Sequence, residues 1–235
     1  MKVLADMHMH TLMSGHAYGT IREMAQAAYE NDLKVIGITE HAPGIPGTCN
    51  PFYFKNFEVI PRIINQVEVY HGCEINVLND GSLSLDEELI EKLDYAICGI
   101  HIQCYENVGK DRNTDNLISC MKNKKVKIVS HPDDDHTPLD YQRLVQAAKK
   151  YTVALEVNNS SIRKKDRRWN CLENYKTMLS LCEKYSVPII LNSDAHDPSA
   201  VGDLSLAENL VEKYNFPKSL VLNYDIDQLK NFLLK

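Results

Sequence analysis

With 235 residues, 44% of them hydrophobic, the chain can bury a large core, and its formal net charge of -6 argues against nonspecific nucleic-acid binding, which relies on a basic surface. No apolar stretch approaches the length of a bilayer span, and no basic segment followed by an apolar core opens the chain, so membrane insertion and secretion are not expected. Seven cysteines without a C-x-x-C pair suit a reducing compartment, and a cytoplasmic location is expected.

The first predicted strand ends in Asp6-Met7-His8-Met9-His10. Alternation along a strand places Asp6, His8 and His10 on one face and Met7 and Met9 on the other, so two imidazoles form a metal clamp. A loop containing His16 follows, and Thr20 with Glu23 has capping-box spacing for a helix over 21–31. Residues 35–41 form a β-branched run apolar enough to be buried on both faces, as in a parallel sheet, and end in His41. A loop over 42–56, rich in Pro and Gly, and a short segment over 57–65 lead to a third strand, 67–74, which ends in Glu74. Ser84 and Glu87 predict the cap of a helix over 85–93, and the fourth strand, 95–101, ends in His101.

A helix over 115–122 precedes a fifth strand, 127–132, which carries His131 and is stopped by Pro132. A helix over 140–151 leads to the sixth strand, 153–159, and a longer one over 172–185 to the seventh, 188–196, with Asp194 and His196 spaced like His8 and His10. Helices over 206–214 and 226–234 close the chain. Cys73 and Cys98 lie in apolar strands and are read as core filler.

Seven buried strands alternating with helices call for parallel βαβ units, either as an open doubly wound sheet or closed into a barrel. No linker or repeat divides the chain, so one domain over 1–235 is expected. Six of the seven strands end in His, Glu or Asp-x-His, and these side chains converge only if the strand ends surround one ring, as in an α/β barrel. Imidazole and carboxylate ligands without thiolates suit Zn, Mn or Fe. Seven histidines (His8, His10, His16, His41, His101, His131, His196) with Glu74 and Asp194 exceed what one or two tetrahedral sites use, which points to three metals. Three divalent ions less two carboxylates leave about four positive charges, a pocket suited to phosphate. His71 is an odd number of residues from Glu74 and is expected to face the helix layer. His136 follows Asp133-Asp134-Asp135, read as a solvated charge run, and Asp6 and Glu40 are read as groups that orient imidazoles.

These residues resemble the PHP (polymerase and histidinol phosphatase) family, in particular its small stand-alone YcdX-type phosphatases. The motifs stand as Asp6-Met7-His8-Met9-His10, Thr39-Glu40-His41, Ser130-His131-Pro132 and Ser193-Asp194-Ala195-His196. The likeness extends through Ser14-Gly15-His16, Gly72-Cys73-Glu74, Gly99-Ile100-His101 and Glu156-Val157-Asn158-Asn159-Ser160-Ser161. It implies a distorted seven-stranded (β/α) barrel with a trinuclear centre. His8, His10, Glu74 and Asp194 would hold one metal, Glu74 with His101 and His131 a second, and His16, His41 and His196 a third. Zinc is the first expectation for the ions, with manganese or iron as alternatives; Glu74, Asp194 and His196 are assigned to catalysis. Two departures stand out: Glu40 replaces an Asp usual before the second-strand His, and Ile102-Gln103 follow His101 where related phosphatases often carry an acid.

The expected reaction is hydrolysis of a phosphate monoester by metal-bound hydroxide, without a protein nucleophile. From the basic run after the sixth strand, Arg163, Lys164 and Arg167 are candidates to reach a small phosphorylated substrate, against the alternative of a solvated loop. Competing readings are a histidinol-phosphate phosphatase, a phosphodiesterase or exonuclease acting on nucleic-acid ends, an amidohydrolase-type barrel, and a metal-binding protein without turnover. Nucleic acid and membrane partners are not expected, and the chain is expected to be a monomer or a small homo-oligomer.

Overall fold

A computed structural model describes residues 2–234. Its strands are β1 (Ala5–Met9), β2 (Val35–His41), β3 (Ile63–Ile64), β4 (Val67–Asn76), β5 (Tyr95–Gly99), β6 (Val126–Val129), β7 (Ala154–Asn158) and β8 (Ile189–Asn192). Seven of them pair in parallel in the order β1-β2-β4-β5-β6-β7-β8, and the two-residue β3 adds antiparallel to the start of β4. The helices are α1 (Ile21–Glu30), α2 (Glu87–Ile90), α3 (Lys110–Cys120), α4 (Tyr141–Tyr151), α5 (Asn159–Arg163), α6 (Cys171–Tyr185), α7 (Ser205–Lys213) and α8 (Ile226–Leu233).

The two ends of the sheet meet, which decides for a nearly closed barrel over an open sheet. His10 N donates to Ala195 O at 2.8 Å and Asp194 N to His8 O at 3.0 Å. Lower in the seam, Asn223 Nδ2 donates to Ala5 O (2.8 Å) and Leu191 O (2.7 Å), while its Oδ1 accepts Leu191 N (2.8 Å). One side chain thereby supplies the ladder bonds that β1 and β8 do not form directly.

Two apolar layers result. Inside the barrel, Met7, Val35, Tyr95, Ile97, Ile128 and Ile190 pack against Leu229 and Leu233 of α8, which closes the end where the strands begin. Outside, Ile36, Val69, Ile75, Val129, Leu155 and Leu191 pack against the helices, and Cys73 and Cys98 are fully buried there, as expected. All seven cysteines are free. No helix among the described residues is long and apolar enough to cross a membrane.

The first strand corrects the alternation expected from sequence. Asp6 pairs opposite Ile36 and Met9 opposite Ile38, so β1 spends three residues where β2 spends two. This bulge shifts the side-chain period by one. Ala5 and Met7 face the interior below it, His8 and His10 reach the interior above it, and Asp6 leaves that face to accept Ser193 N (3.1 Å) and Gly202 N (3.0 Å). The displaced Met7 backbone is satisfied by side chains: its N–H donates to Asn192 Oδ1 (2.9 Å) and its carbonyl accepts the Tyr95 hydroxyl (2.6 Å). Gly37 makes room, since a Cβ there would sit 1.8 Å from Tyr95 Oη.

Other boundaries also moved. The capping box of Thr20 and Glu23 forms as expected. Ser84 caps nothing; its hydroxyl pairs with Asn76 Nδ2 at 2.8 Å, and α2 shrinks to four residues behind Asp86. Helix α3 begins at Lys110 rather than 115 because its first turns bury Asn113, Thr114 and Asn116, polar residues that carry no apolar period. Helix α5, absent from the sequence reading, starts where Asn158 Oδ1 accepts Ser161 N at 2.8 Å. Replacing Tyr95 by Phe leaves the buried Met7 carbonyl unpaired and is expected to lower unfolding stability by about 1–3 kcal/mol in denaturant titration. A loss below about 0.5 kcal/mol would show that the bulge does not need that bond.

Candidate metal centre

The upper ends of the parallel strands form a ring, and the residues expected there converge within it. Glu74 is the hub. Its Oε2 lies 3.3 Å from His8 Nε2, 3.5 Å from His10 Nε2 and 3.0 Å from His41 Nδ1. Its Oε1 lies 2.9 Å from His131 Nε2 and 3.3 Å from His101 Nε2. Asp194 Oδ1 lies 3.3 Å from His10 Nε2 and 3.5 Å from His196 Nδ1, and His196 Nε2 lies 3.1 Å from His16 Nε2. Gly99 keeps the space open, since a Cβ there would meet Ser130 Oγ at 2.2 Å and Glu74 Oε1 at 3.3 Å.

An outer layer of oxygens decides which ring nitrogen faces inward. His8 Nδ1 donates to Glu156 Oε1 (2.7 Å), His16 Nδ1 to Ser14 O (3.0 Å), His101 Nδ1 to Asn76 Oδ1 (2.8 Å) and His196 Nδ1 to Asp194 O (3.0 Å). Ser14 Oγ donates to Glu40 Oε2 (2.6 Å) and so accepts from His10 Nδ1 (3.0 Å). In each of these five rings Nε2 is left pointing into the cluster. Glu40 thus acts on His10 through Ser14 and touches no imidazole, and Asp6 orients the loop that carries Asp194 and His196. Glu40 therefore orients an imidazole at one remove, and Asp6 acts through the backbone N–H groups of Ser193 and Gly202. The sequence reading assigned no role to Glu156, whose carboxylate accepts four donors: His8 Nδ1, His131 N (2.8 Å), Asn158 Nδ2 (3.0 Å) and Asn192 Nδ2 (2.8 Å). A lone acid inside an apolar strand was the available signal.

The electrostatics call for positive charge. Burial alone would raise the Glu74 and Asp194 carboxyls, but neighbouring imidazoles, His8 first, hold both well below the usual range. Burial would lower His8 and His131, and Glu74 reverses this, raising both. Burial first, with other imidazoles, keeps His10 and His16 low; for His101 burial outweighs Glu74. His41 Nδ1, Glu74 Oε2 and His101 Nε2 are buried and have no hydrogen-bond partner. Orphaned acceptors aimed at one another are costly unless a cation satisfies them, and their imidazole and carboxylate chemistry fits divalent metal. His10, His41 and His196, His8, His10 and Asp194, and His41, Glu74 and His101 each place ligand atoms within 4.8 Å of one another.

Above the ring is a cavity of about 510 Å³ with Asp194 and His196 in its lining and Lys164 and Arg167 at its edge. Arg163 is ion-paired with Asp203 and lines an adjoining cavity that shares His16, Lys164, Asp194 and His196 with the site. The run Asp133-Asp134-Asp135 is not a solvated stretch. Asp133 is buried against Arg168 (2.8 Å), Asp134 accepts His136 Nδ1 (2.7 Å), and Asp135 accepts Asn170 Nδ2 (2.6 Å). His71 lies outside the centre, stacked on Phe57 at 5.0 Å, as expected.

The model of the PHP domain matches residues 6–215, and the chain belongs to that family of metal-dependent phosphoesterases. It is a hydrolase of the phosphatase class, in agreement with the sequence reading. A protein of Caldicellulosiruptor bescii named probable phosphatase is 37% identical over 231 residues, covering 97% of this chain and 94% of its own. A probable phosphatase of Clostridium novyi is 37% identical over 234 residues, covering 99% and 95%. Among solved structures, histidinol phosphate phosphatase from Lactococcus lactis, complexed with zinc, L-histidinol and phosphate, superposes with a TM-score of 0.62 at 16% identity over 92% of this chain and 95% of that one, a likeness of fold.

Two measurements test this geometry. Glu156→Gln removes the negative charge that holds His8 and turns an amide NH2 toward groups that themselves donate, and it is expected to weaken zinc binding about 10–100-fold in chelator competition while the fold is retained; unchanged affinity would remove Glu156 from the metal centre. Burial lowers the His71 pKa to about 4, so the unfolded chain takes up a proton near pH 6.5 that the folded chain does not accept until about 4. Stability is therefore lost as pH falls through that window, and His71→Leu is expected to remove about 2 kcal/mol of the loss between pH 7 and 5. Identical pH dependence in both chains would contradict this.

Proposed function

We propose that the chain hydrolyses phosphate monoesters with three divalent cations, zinc first and manganese or iron as alternatives. The observation that carries this is the set of inward-facing Nε2 atoms around Glu74, with orphaned acceptors on His41, Glu74 and His101. His8, His10, Glu74 and Asp194 would hold one cation, Glu74, His101 and His131 a second, and His16, His41 and His196 a third. His41 stands between two of these, because its Nδ1 also lies 3.0 Å from Glu74 Oε2. Cations in such sites supply a Lewis acid for phosphoryl oxygens and lower the pKa of water.

The chain's own residues do the rest. Glu74 would contribute to two of the sites, since one of its oxygens lies beside His8, His10 and His41 and the other beside His101 and His131. Asp194 lines the cavity as a carboxylate, where it would hold a cation and orient the attacking water by accepting a hydrogen bond from it, and Asn158 Nδ2 donates to its other oxygen at 3.3 Å. His196 lies on the cavity side, where the leaving oxygen would depart. Lys164 and Arg167 offer positive charge at the mouth. The free cysteines suit a cytoplasmic enzyme. Histidinol phosphate is the specific alternative, since the Lactococcus lactis protein is complexed with L-histidinol and phosphate.

Phosphate release from a panel of monoesters, with protein stripped of metal and reloaded with Zn, Mn or Fe, is expected to depend wholly on metal. Ser160→Ala should keep a metal-dependent rate, because no serine nucleophile is required. Loaded protein that released no phosphate from any monoester would overturn this function and direct attention to diesters.

A further inference from the structure

If phosphorus sits over the metal centre, the organic part of the substrate must run up the cavity and meet its rim. That rim carries a feature which the hydrolytic chemistry does not use. His136 lines the cavity and stacks on Trp169, with ring centroids 4.1 Å apart and planes at 32°. Trp169 is 62% exposed and is the single tryptophan of the chain. A large exposed aromatic side chain is ordinarily mobile, but this pair is fastened from below. Asp134 Oδ1 accepts His136 Nδ1 (2.7 Å), His136 N (3.0 Å) and Trp169 N (3.0 Å), and Asp135 N donates to Trp169 O (3.1 Å). Arg168, clamped on Asp133, ties the same two loops together, and Asn174 Nδ2 donates to both Asp133 O and Asp135 Oδ1 at 2.9 Å. The hydrogen bonds hold the aromatic pair through backbone and ring nitrogen, with His136 in the cavity lining and Trp169 just beyond that lining, open to solvent.

The charges beside this shelf narrow what it can accept. Arg163 and Arg168 are ion-paired, whereas among the described residues Lys164 and Arg167, which line the same cavity, have no ion-pair partner. Of the acids in the same lining, Asp133 is paired with Arg168 and Asp134 Oδ1 is taken up by three donors, so a leaving group bearing a protonated amine would meet those two cations, and a flat neutral or anionic one would be favoured. Resting on the phosphatase reading, we infer that the preferred substrate carries a planar, uncharged or anionic aromatic ring of nucleobase size, which stacks on the His136–Trp169 shelf while its phosphate lies over the metal centre. The cavity of about 510 Å³ is in the range of sites that take molecules of this size.

Trp169 is itself the reporter. With zinc-loaded protein, adenosine 5′-monophosphate is expected to quench the tryptophan fluorescence, and glycerol 3-phosphate is not. Trp169→Ala should raise KM for adenosine 5′-monophosphate about tenfold more than it raises KM for glycerol 3-phosphate, the scale of one base-on-aromatic stack, and Trp169→Phe should recover most of the difference. Phosphate release from both esters with no quenching and equal effects of Trp169→Ala would overturn the shelf and leave the phosphatase reading intact. Quenching by the nucleotide without release of phosphate from any monoester would support the shelf as a binding surface and overturn the phosphatase reading.

Discussion

A single fully buried carboxylate, Glu74, lies within 3.5 Å of five imidazoles, and the upper half of the barrel is arranged around that charge. Burying an ion costs several kcal/mol unless opposite charge and hydrogen bonds offset it. The offset here is collective. Four strands deliver the five imidazoles and Gly99 clears the space, while the parallel register sets His41 opposite Glu74 on neighbouring strands. Closure at the seam between β1 and β8 then brings Asp194 and His196 beside His10 and His16, which completes the ring around that hub.

Around this hub, polar side chains perform the work that water does at a surface. Glu156, Ser14, Asn76 and two main-chain carbonyls each take one Nδ1 proton, and Glu40 acts one atom further out. Such networks are demanding because every member must be satisfied at low dielectric. Their reward is a set of ring nitrogens already turned toward the cation positions, so little reorganisation accompanies metal binding. The bulge in β1 belongs to the same arrangement. It lets Met7 fill the floor while His8, the next residue, reaches the centre, and Tyr95 and Asn192 satisfy the backbone that the bulge frees.

The rim is built differently from the floor. The floor is rigid through convergence of strands, whereas the rim joins the loops after β6 and α5 through carboxylates that accept backbone and side-chain donors. Asp133, Asp134 and Asp135 each bind across to residues 168–174, so the acids that follow His131 stabilise a loop pairing. Chemistry placed on strand ends and selectivity placed on loops is the usual division of an α/β barrel.

Sequence alone determined the elements whose signal is local: buried β-branched runs for the parallel strands, the capping box of α1, and histidines or carboxylates clustered at six strand ends, although β5, β6 and β8 stop at Gly99, Val129 and Asn192, short of the site residues that follow them. It also implied that the ends should form one ring, because side chains of that chemistry have no other reason to recur there, and the family resemblance agreed. Tertiary structure alone decided the rest. The bulge that moves Asp6 off the face of His8 depends on pairing with β2, which no periodicity within β1 reveals. Ser84 is drawn from a cap to Asn76, and Glu156 becomes the anchor of His8, through contacts between distant strands. Arg163 and Lys164 are neighbours with the same charge, and only the position of Asp203 gives one of them an ion-pair partner and leaves the other without one. A local pattern specifies which way a side chain points along its own strand or helix; what it meets is set by chain segments that the pattern does not contain.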